Sequence, residues 1–530
     1  MITLYDTTLR DGTQREGLSL SAEDKVRIAL RLDDLGIHYI EGGYPGSNPK
    51  DAEFFRRVRD VKFENAVITA FGSTCRKGLS ADSDPGLQAL LETDCATLCI
   101  FGKAWDLHVT EALGTTLAEN IRMVHDSVAF LKAQGRQVFF DAEHFFDGYA
   151  RNAGYAIEVC QAAQAAGADA IVLCDTNGGT MPHQVLSAVT AVSLMLDAPL
   201  GIHAHNDTGC AIANSLIAVE AGATHVQGTA NGYGERAGNA DLLTIIPSLV
   251  LKMGKECITP DQLKLITEVS HFISETANLS PYPHQPYVGS SAFAHKGGVH
   301  ASAAAKLPEA YEHIDPAAVG NLARVVVSEL AGRASLTMKA REMGIDLTGD
   351  QEVVSSALDS IKHLEHKGYS FETADGSLEI LLRKKLGTHE PLFRLETFRC
   401  IMDKREDGKV ATEATIKIHI GGHRYIATAE GNGPVNALDN ALRMAIGRFY
   451  PRLEDFELTD FKVRVLDEKK GTGAVTRVLI ETSDGGKSWG TVGVSENIIE
   501  ASWEALVDSV EYGLIHPPGE HPHSGDESVT

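Results

Sequence analysis

Between residue 1 and about residue 255 the sequence alternates eight times between a short apolar run and a longer amphipathic stretch. The short runs are Ile2–Leu9, Tyr39–Tyr44, Ala66–Ser73, Ala96–Lys103, Gln137–His144, Ala170–Thr176, Pro199–His205 and His225–Asn231. Between them Ala22–Leu35, Leu117–Ala133, Ala153–Ala166 and Ala211–Ala221 carry apolar residues at helical spacing. Strands that alternate with helices pair in parallel, and eight such units predict a closed (β/α)8 barrel, the TIM barrel. An open doubly wound sheet is the alternative. No GxGxxG follows the first run, and the count of eight favours closure.

Chemistry in this fold sits at the C-terminal ends of the strands. There the runs end in polar residues: Arg10 and Asp11 on the first, Glu41 on the second, Glu143 on the fifth. Asp175 and Thr176 end the sixth, His203 and His205 the seventh, and Asn231 the eighth. His203 and His205 lie two apart, so a strand points both imidazoles the same way. Buried polar groups without partners cost free energy, so the pair is either a metal site or two hydrogen-bonded core histidines. Convergence of polar residues from several strands on one rim favours the metal.

Asp6, Thr8 and Arg10 share one face of the first run, and Asp11 would face away if the strand continued. Gly12 offers a turn that brings Asp11 to the rim. Asp11, His203 and His205 then form a two-histidine, one-carboxylate set with open positions, suited to Mg²⁺, Mn²⁺, Zn²⁺ or Fe²⁺. Arg10 is a fixed cation for developing oxyanion charge, or else an ion-pair partner of Asp6 or Glu41. Glu143, on the same face as Asp141, is a candidate base or the structural partner of a barrel lysine or arginine. The loop Gly232–Asn239 either cradles an anion or uses its glycines for turn geometry alone.

A formal charge of -24 disfavours nucleic acid or an anionic membrane as a partner. The N-terminus lacks the pattern of a signal peptide, and no apolar run reaches membrane-spanning length. Eight scattered cysteines without a CxxC pair fit a reduced, cytoplasmic chain. Taking 1–255 as the barrel, residues 256–390 read as a helical linker region. It holds a helix at 261–277, three prolines at 281, 283 and 286, and helices near 332–344, 351–367 and 376–386. Residues 391–516 read as an α+β domain. Its strands are Thr415–Ile420, Tyr425–Ala429, Val463–Leu466 and Thr476–Ile480, and its helices Val435–Ile446 and Ile498–Tyr512. The tail 517–530 has the composition of a disordered segment.

Three motifs in this order carry a resemblance: Asp-Thr-Thr-Leu-Arg-Asp-Gly at 6–12, His-Ala-His-Asn-Asp at 203–207 and Gly-Glu-Arg-Ala-Gly-Asn at 234–239. The chain resembles the isopropylmalate, homocitrate and citramalate synthases, barrel acyltransferases related to hydroxymethylglutaryl-CoA lyase. Residues 295–300 and 431–435 are similar to the accessory regions of those synthases. Segments 41–51, 231–236 and 311–316 look most like the citramalate branch. The resemblance implies condensation of acetyl-CoA with pyruvate, with 2-oxoisovalerate as substrate or an aldol-type lyase as alternatives.

It further implies that Asp11, His203 and His205 ligate a divalent metal ion, Mg²⁺ or Mn²⁺ before Zn²⁺, joined by Asn239 directly or through water. Arg10 would stabilise the enolate or alkoxide oxygen, and Thr176 would bind the 2-oxo-acid carboxylate. Glu143 and His300 would be the acid–base pair, with Tyr311 assisting from the linker. Linker residues of relatives complete the partner's site, which implies a homodimer. The C-terminal domain would bind isoleucine for feedback inhibition, or serve dimerisation alone. One departure stands out: the family's Ser-x-Glu-Asp is here Asp141-Ala142-Glu143-His144.

Overall fold

A computed structural model of the chain describes residues 1–296, 307, 311–328, 331–347, 351–404, 406–466, 471 and 473–516. His300 and the tail 517–530 lie outside the described residues. Two compact units are present: Met1–Phe293 with Ile314–Ala323, and Ala294–His313 with Arg324–Thr530.

The first unit contains a closed, parallel, eight-stranded barrel in sequential order. Its strands are β1 (Thr3–Asp6), β2 (Tyr39–Gly43), β3 (Val67–Ser73), β4 (Thr97–Lys103), β5 (Gln137–Glu143), β6 (Ala170–Asp175), β7 (Leu200–Ala204) and β8 (His225–Gly228). Pairing of Thr3 with His225 and Asp6 with Gly228 closes β1 on β8. Strand residues alternate between two environments, as period-two geometry requires. Leu4, Ile40, Leu98, Phe140, Leu173, Ile202 and Val226 are fully buried in the large core that also takes in the surrounding helices. The intervening residues face inward. The rings of Tyr39, Phe139 and His225 lie 6.2, 6.0 and 5.3 Å from that of Tyr5, so side chains from four different strands fill the interior.

Along the same inward rows, toward the C-terminal ends, the apolar layer gives way to Glu41, Asp141, His203 and Gln227, all buried. The Tyr5 hydroxyl joins the layers by donating to Glu41 at 2.7 Å. The fold thus stacks a dry aromatic plug beneath a polar floor.

Strand β1 is shorter than its sequence implies, and the turn after it is not made at Gly12. The Thr7 carbonyl accepts from the amides of Arg10, Asp11 and Gly12 at 3.2, 2.9 and 3.1 Å, so the chain curls directly after Asp6. Asp11 reaches the rim because three amides converge on one carbonyl. The helix at 153–166 extends back to Phe145 and kinks at Asn152. The helix at 261–277 divides into Pro260–Leu263 and Ile266–Thr276.

In the second unit, the two-residue strands β9 (Ala294–His295) and β10 (Arg324–Val325) pair in parallel. Helices Arg333–Glu342, Gln351–His366 and Asp375–Leu386 then precede a repeated pattern. Two three-stranded antiparallel sheets, β11 (Arg394–Lys404), β12 (Val410–Ile420), β13 (His423–Gly431) and β14 (Glu457–Val465), β15 (Thr476–Ser483), β16 (Ser488–Ser495), are each followed by a helix. In helix Pro434–Ile446, Ala437, Leu438, Ala441, Leu442 and Ala445 share one face. They are buried with Ile416 and Ile418 of β12. The unit is thus α+β, as the resemblance implies. Among the described residues, no helix is long and apolar enough to cross a membrane.

Candidate active site

The polar floor opens into a cavity of about 430 Å³ at the C-terminal end of the barrel. Asp11, His203 and His205 all line it, and each is at most 6% exposed. Asp11 Oδ2 lies 3.3 Å from His203 Nε2 and 3.8 Å from His205 Nε2, and the two Nε2 atoms are 3.3 Å apart. Three donor atoms therefore face one point, within 4.8 Å of one another.

The charges suit a cation. Burial opposes ionisation of Asp11, but Arg10 at 3.5 Å and the bond from His203 outweigh it and hold the carboxyl well below the usual carboxylate range. Burial and the neighbouring His203 push His205 down to about 4, so its imidazole is neutral and offers a lone pair near neutral pH. For His203, burial is outweighed by Asp11 and the value rises.

Asn239 is the backbone neighbour of this set. An isolated antiparallel bridge sets it beside His205, and its Nδ2 donates to the Tyr233 carbonyl at 3.1 Å. Its Oδ1 is buried and meets no hydrogen-bond donor among the described residues. An orphaned amide oxygen on the residue bridged to His205 is a group that a divalent cation of borderline or hard character could satisfy.

Arg10 Nε donates to Glu41 Oε1 at 2.6 Å, while the guanidinium carbon stands 3.8 Å from the Phe71 ring centre. Both readings of Arg10 therefore meet in one geometry: Glu41 and Phe71 fix the fork, and Nη1 faces the Asp11 side of the cavity. Asp6 is not its partner. Asp6 accepts from the amide and hydroxyl of Thr8 at 2.9 and 2.8 Å, and burial pushes its carboxyl up to about 7.

Glu143 ends β5 and lines the cavity, with its carboxylate paired to Lys103 at the end of the neighbouring β4. Thr176 Oγ1 accepts from the His144 amide at 2.9 Å, which leaves its O–H hydrogen for an acceptor in the cavity. His144 itself adopts a left-handed backbone (φ 56°), a costly conformation for a non-glycine residue at the rim.

One expectation is corrected. Asn231 does not line the cavity. Its amide donates to Ser270 O and Ser274 Oγ at 3.0 Å each, and its Oδ1 accepts from Ser270 Oγ at 2.7 Å, tying the end of β8 to helix Ile266–Thr276. In the glycine-rich loop the glycines meet a packing demand. A Cβ on Gly234 would collide with Asn239 Nδ2, and one on Gly238 with the Gly232 carbonyl, so these glycines permit the close packing that places Asn239. Tyr311 is exposed and belongs to the second unit.

Arg236, which the sequence did not single out, lines the cavity. Its Nε donates to Asp207 at 2.8 Å and its Nη2 to the Thr176 carbonyl at 2.7 Å, fastening the glycine-rich loop to the ends of β6 and β7. Phe71 and Phe101, stacked with centroids 5.4 Å apart, form an apolar wall that strand periodicity alone did not mark as part of the site.

A closed parallel barrel with a carboxylate and two imidazoles gathered at its C-terminal rim defines a class of enzyme scaffold, and likeness to known proteins specifies it. The HMGL-like family model matches residues 1–273, more than half of the chain, and the chain belongs to that family. The homocitrate synthase post-HMGL domain-like model follows at 287–369 and the LeuA allosteric (dimerisation) domain model at 372–514. The chain is 55% identical to the (R)-citramalate synthase of Geobacter sulfurreducens, over 97% of this chain and 98% of that one. It is 53% identical to the (R)-citramalate synthase of Streptomyces coelicolor, over 97% and 96%. The 2-isopropylmalate synthase of Methanocaldococcus jannaschii stands further off, 31% identical over 96% and 94%.

Proposed function

We propose that the chain condenses acetyl-CoA and pyruvate with water to give citramalate and CoA. The observation that carries this reading is identity above half to citramalate synthases along barrel, linker and C-terminal domain together. By the same likeness the product is the R enantiomer.

Asp11, His203, His205 and Asn239 would hold a divalent cation, with Mg²⁺ or Mn²⁺ suiting the mixed oxygen and nitrogen set. Bound there, it would polarise the carbonyl of a chelated 2-oxo acid. Thr176 donates its hydroxyl to the pyruvate carboxylate. Glu143 takes a proton from the acetyl methyl group, a weak carbon acid that needs a positioned base. The carbon electron pair attacks C2 of pyruvate, the carbonyl pair moves to oxygen, and that oxygen gains a proton. Arg10, held by Glu41, offers N–H donors to the oxygen on which charge develops. Hydrolysis of the thioester then cleaves the C–S bond and releases CoA thiol. His300, by its motif, is the second acid–base residue of this reading.

The LeuA allosteric (dimerisation) domain match supports a dimer with an effector site, and in this reading the assembly is a homodimer and the effector is isoleucine, the end product of a branched-chain amino-acid synthesis. A reduced cytoplasmic setting agrees with eight unpaired cysteines.

The test is CoA-thiol release with Mn²⁺ across pyruvate, 2-oxobutyrate, 2-oxoisovalerate and 2-oxoglutarate, with and without isoleucine. Pyruvate should give the highest kcat/KM, and isoleucine should slow that reaction. Preference for 2-oxoisovalerate would replace the assignment with isopropylmalate synthesis.

A further inference from the structure

Beneath His203, inside the barrel, runs a line of buried hydrogen bonds. His203 Nδ1 lies 2.9 Å from Gln227 Oε1, and Gln227 Nε2 donates to Asp141 Oδ1 at 3.0 Å. Gln227 is fully buried and Asp141 is 3% exposed. These two groups come from β8 and β5, neither of them the strand that leads into the Asp11 turn.

The direction of this chain follows from the chemistry of its members. An ionised carboxylate only accepts hydrogen bonds, and the group of Gln227 that points at Asp141 is its Nε2. The amide of Gln227 must therefore turn its NH₂ toward Asp141 and its carbonyl toward His203. A carbonyl only accepts, so His203 carries its proton on Nδ1. Nε2, which faces Asp11 and His205, is then the nitrogen left to give up its proton and bind a cation through its lone pair.

We propose that Asp141 and Gln227 are positioning residues that fix His203 in the tautomer able to ligate a divalent cation. The proposal rests on the reading of Asp11, His203 and His205 as metal ligands. It also gives Asp141 a place distinct from the base role read for Glu143. Outer hydrogen-bond partners of this kind are worth about 10–100-fold in metal affinity.

The key variant is Asp141→Asn, which is isosteric. Its own NH₂ can donate, so Gln227 is free to flip and present NH₂ to His203 Nδ1, which forces the proton onto Nε2. Gln227→Leu removes the acceptor outright. The double variant Asp141→Asn with Gln227→Glu restores the direction of the chain. The carboxylate at position 227 only accepts, from the new amide on one side and from His203 Nδ1–H on the other. Mn²⁺ titration of the full-length protein, followed by electron paramagnetic resonance, reads the dissociation constant directly, and thermal unfolding without metal monitors the fold.

The expected result is weakening of about tenfold or more for Asp141→Asn and for Gln227→Leu, with the double variant returning to within about threefold of the parent. Parental affinity in Asp141→Asn would overturn the proposal, as would a folded double variant that stays as weak as the singles. The parent and His203→Ala, titrated alongside, separate the two layers. If His203→Ala binds Mn²⁺ as the parent does, the ligand set itself is wrong; if only Asp141→Asn is silent, the positioning role is wrong.

Discussion

His203→Ala lowers kcat/KM for citramalate formation by about a thousandfold or more. Polarisation of a carbonyl by a bound cation supplies several kcal/mol, and each 1.36 kcal/mol is about a factor of ten in rate. The imidazole is one of three groups whose donor atoms lie within 4.8 Å of each other, so its loss opens a gap in the set. A cavity left by a buried histidine also costs stability, and the comparison therefore includes His203→Gln, which keeps bulk and a donor. Steady-state thiol release checks the rate, and circular dichroism checks the fold. Near-parental turnover in a folded His203→Ala would remove His203 from the ligand set.

Glu143→Gln lowers kcat by about 10²–10⁴, the range that a positioned general base contributes. Its carboxylate is paired with Lys103. The same pair also offers the structural explanation, in which Glu143 only satisfies Lys103. The two separate cleanly. A structural role predicts a lower unfolding temperature with little change in kcat, whereas the base role predicts the reverse. Exchange of the acetyl methyl protons with deuterated water, followed by mass spectrometry of the thioester, reads proton removal without the later steps.

Much of the barrel was legible because each strand is a compact apolar run set apart by a helix, and the register of polar residues at the strand ends follows from period two. Asp11, His203, His205, Glu143 and Thr176 all line one cavity, as strand ends in a closed barrel must. What period two could not give was where the strand stops. Thr7 gathers three amides and ends β1 at Asp6, a loop contact that no alternation encodes. Asn231 sits at the right end of the right strand but has a left-handed backbone (φ 58°), which turns it toward Ser270 and Ser274.

In the sequence, Gln227 and Asp141 are scattered polar residues in apolar runs. Their meaning depends on a contact between strands 86 residues apart. In the second unit, β16 is hidden from a sequence reading because Gly490 and Gly493 look like turn residues. There a Cβ would collide with the carbonyls of Thr373 and Ala501, so the glycines serve close packing within a strand. Strand β11 is hidden because most of its residues are exposed and no strong alternation marks it.

The decisive measurement is anomalous diffraction from crystals of the protein soaked with Mn²⁺ and pyruvate. One manganese peak is expected at the barrel rim, within bonding distance of Asp11, His203 and His205, with the keto oxygen and one carboxylate oxygen of pyruvate on the ion and the other carboxylate oxygen toward Thr176. A peak elsewhere, or a rim holding pyruvate without manganese, would contradict the assignment of these three side chains as the metal ligands.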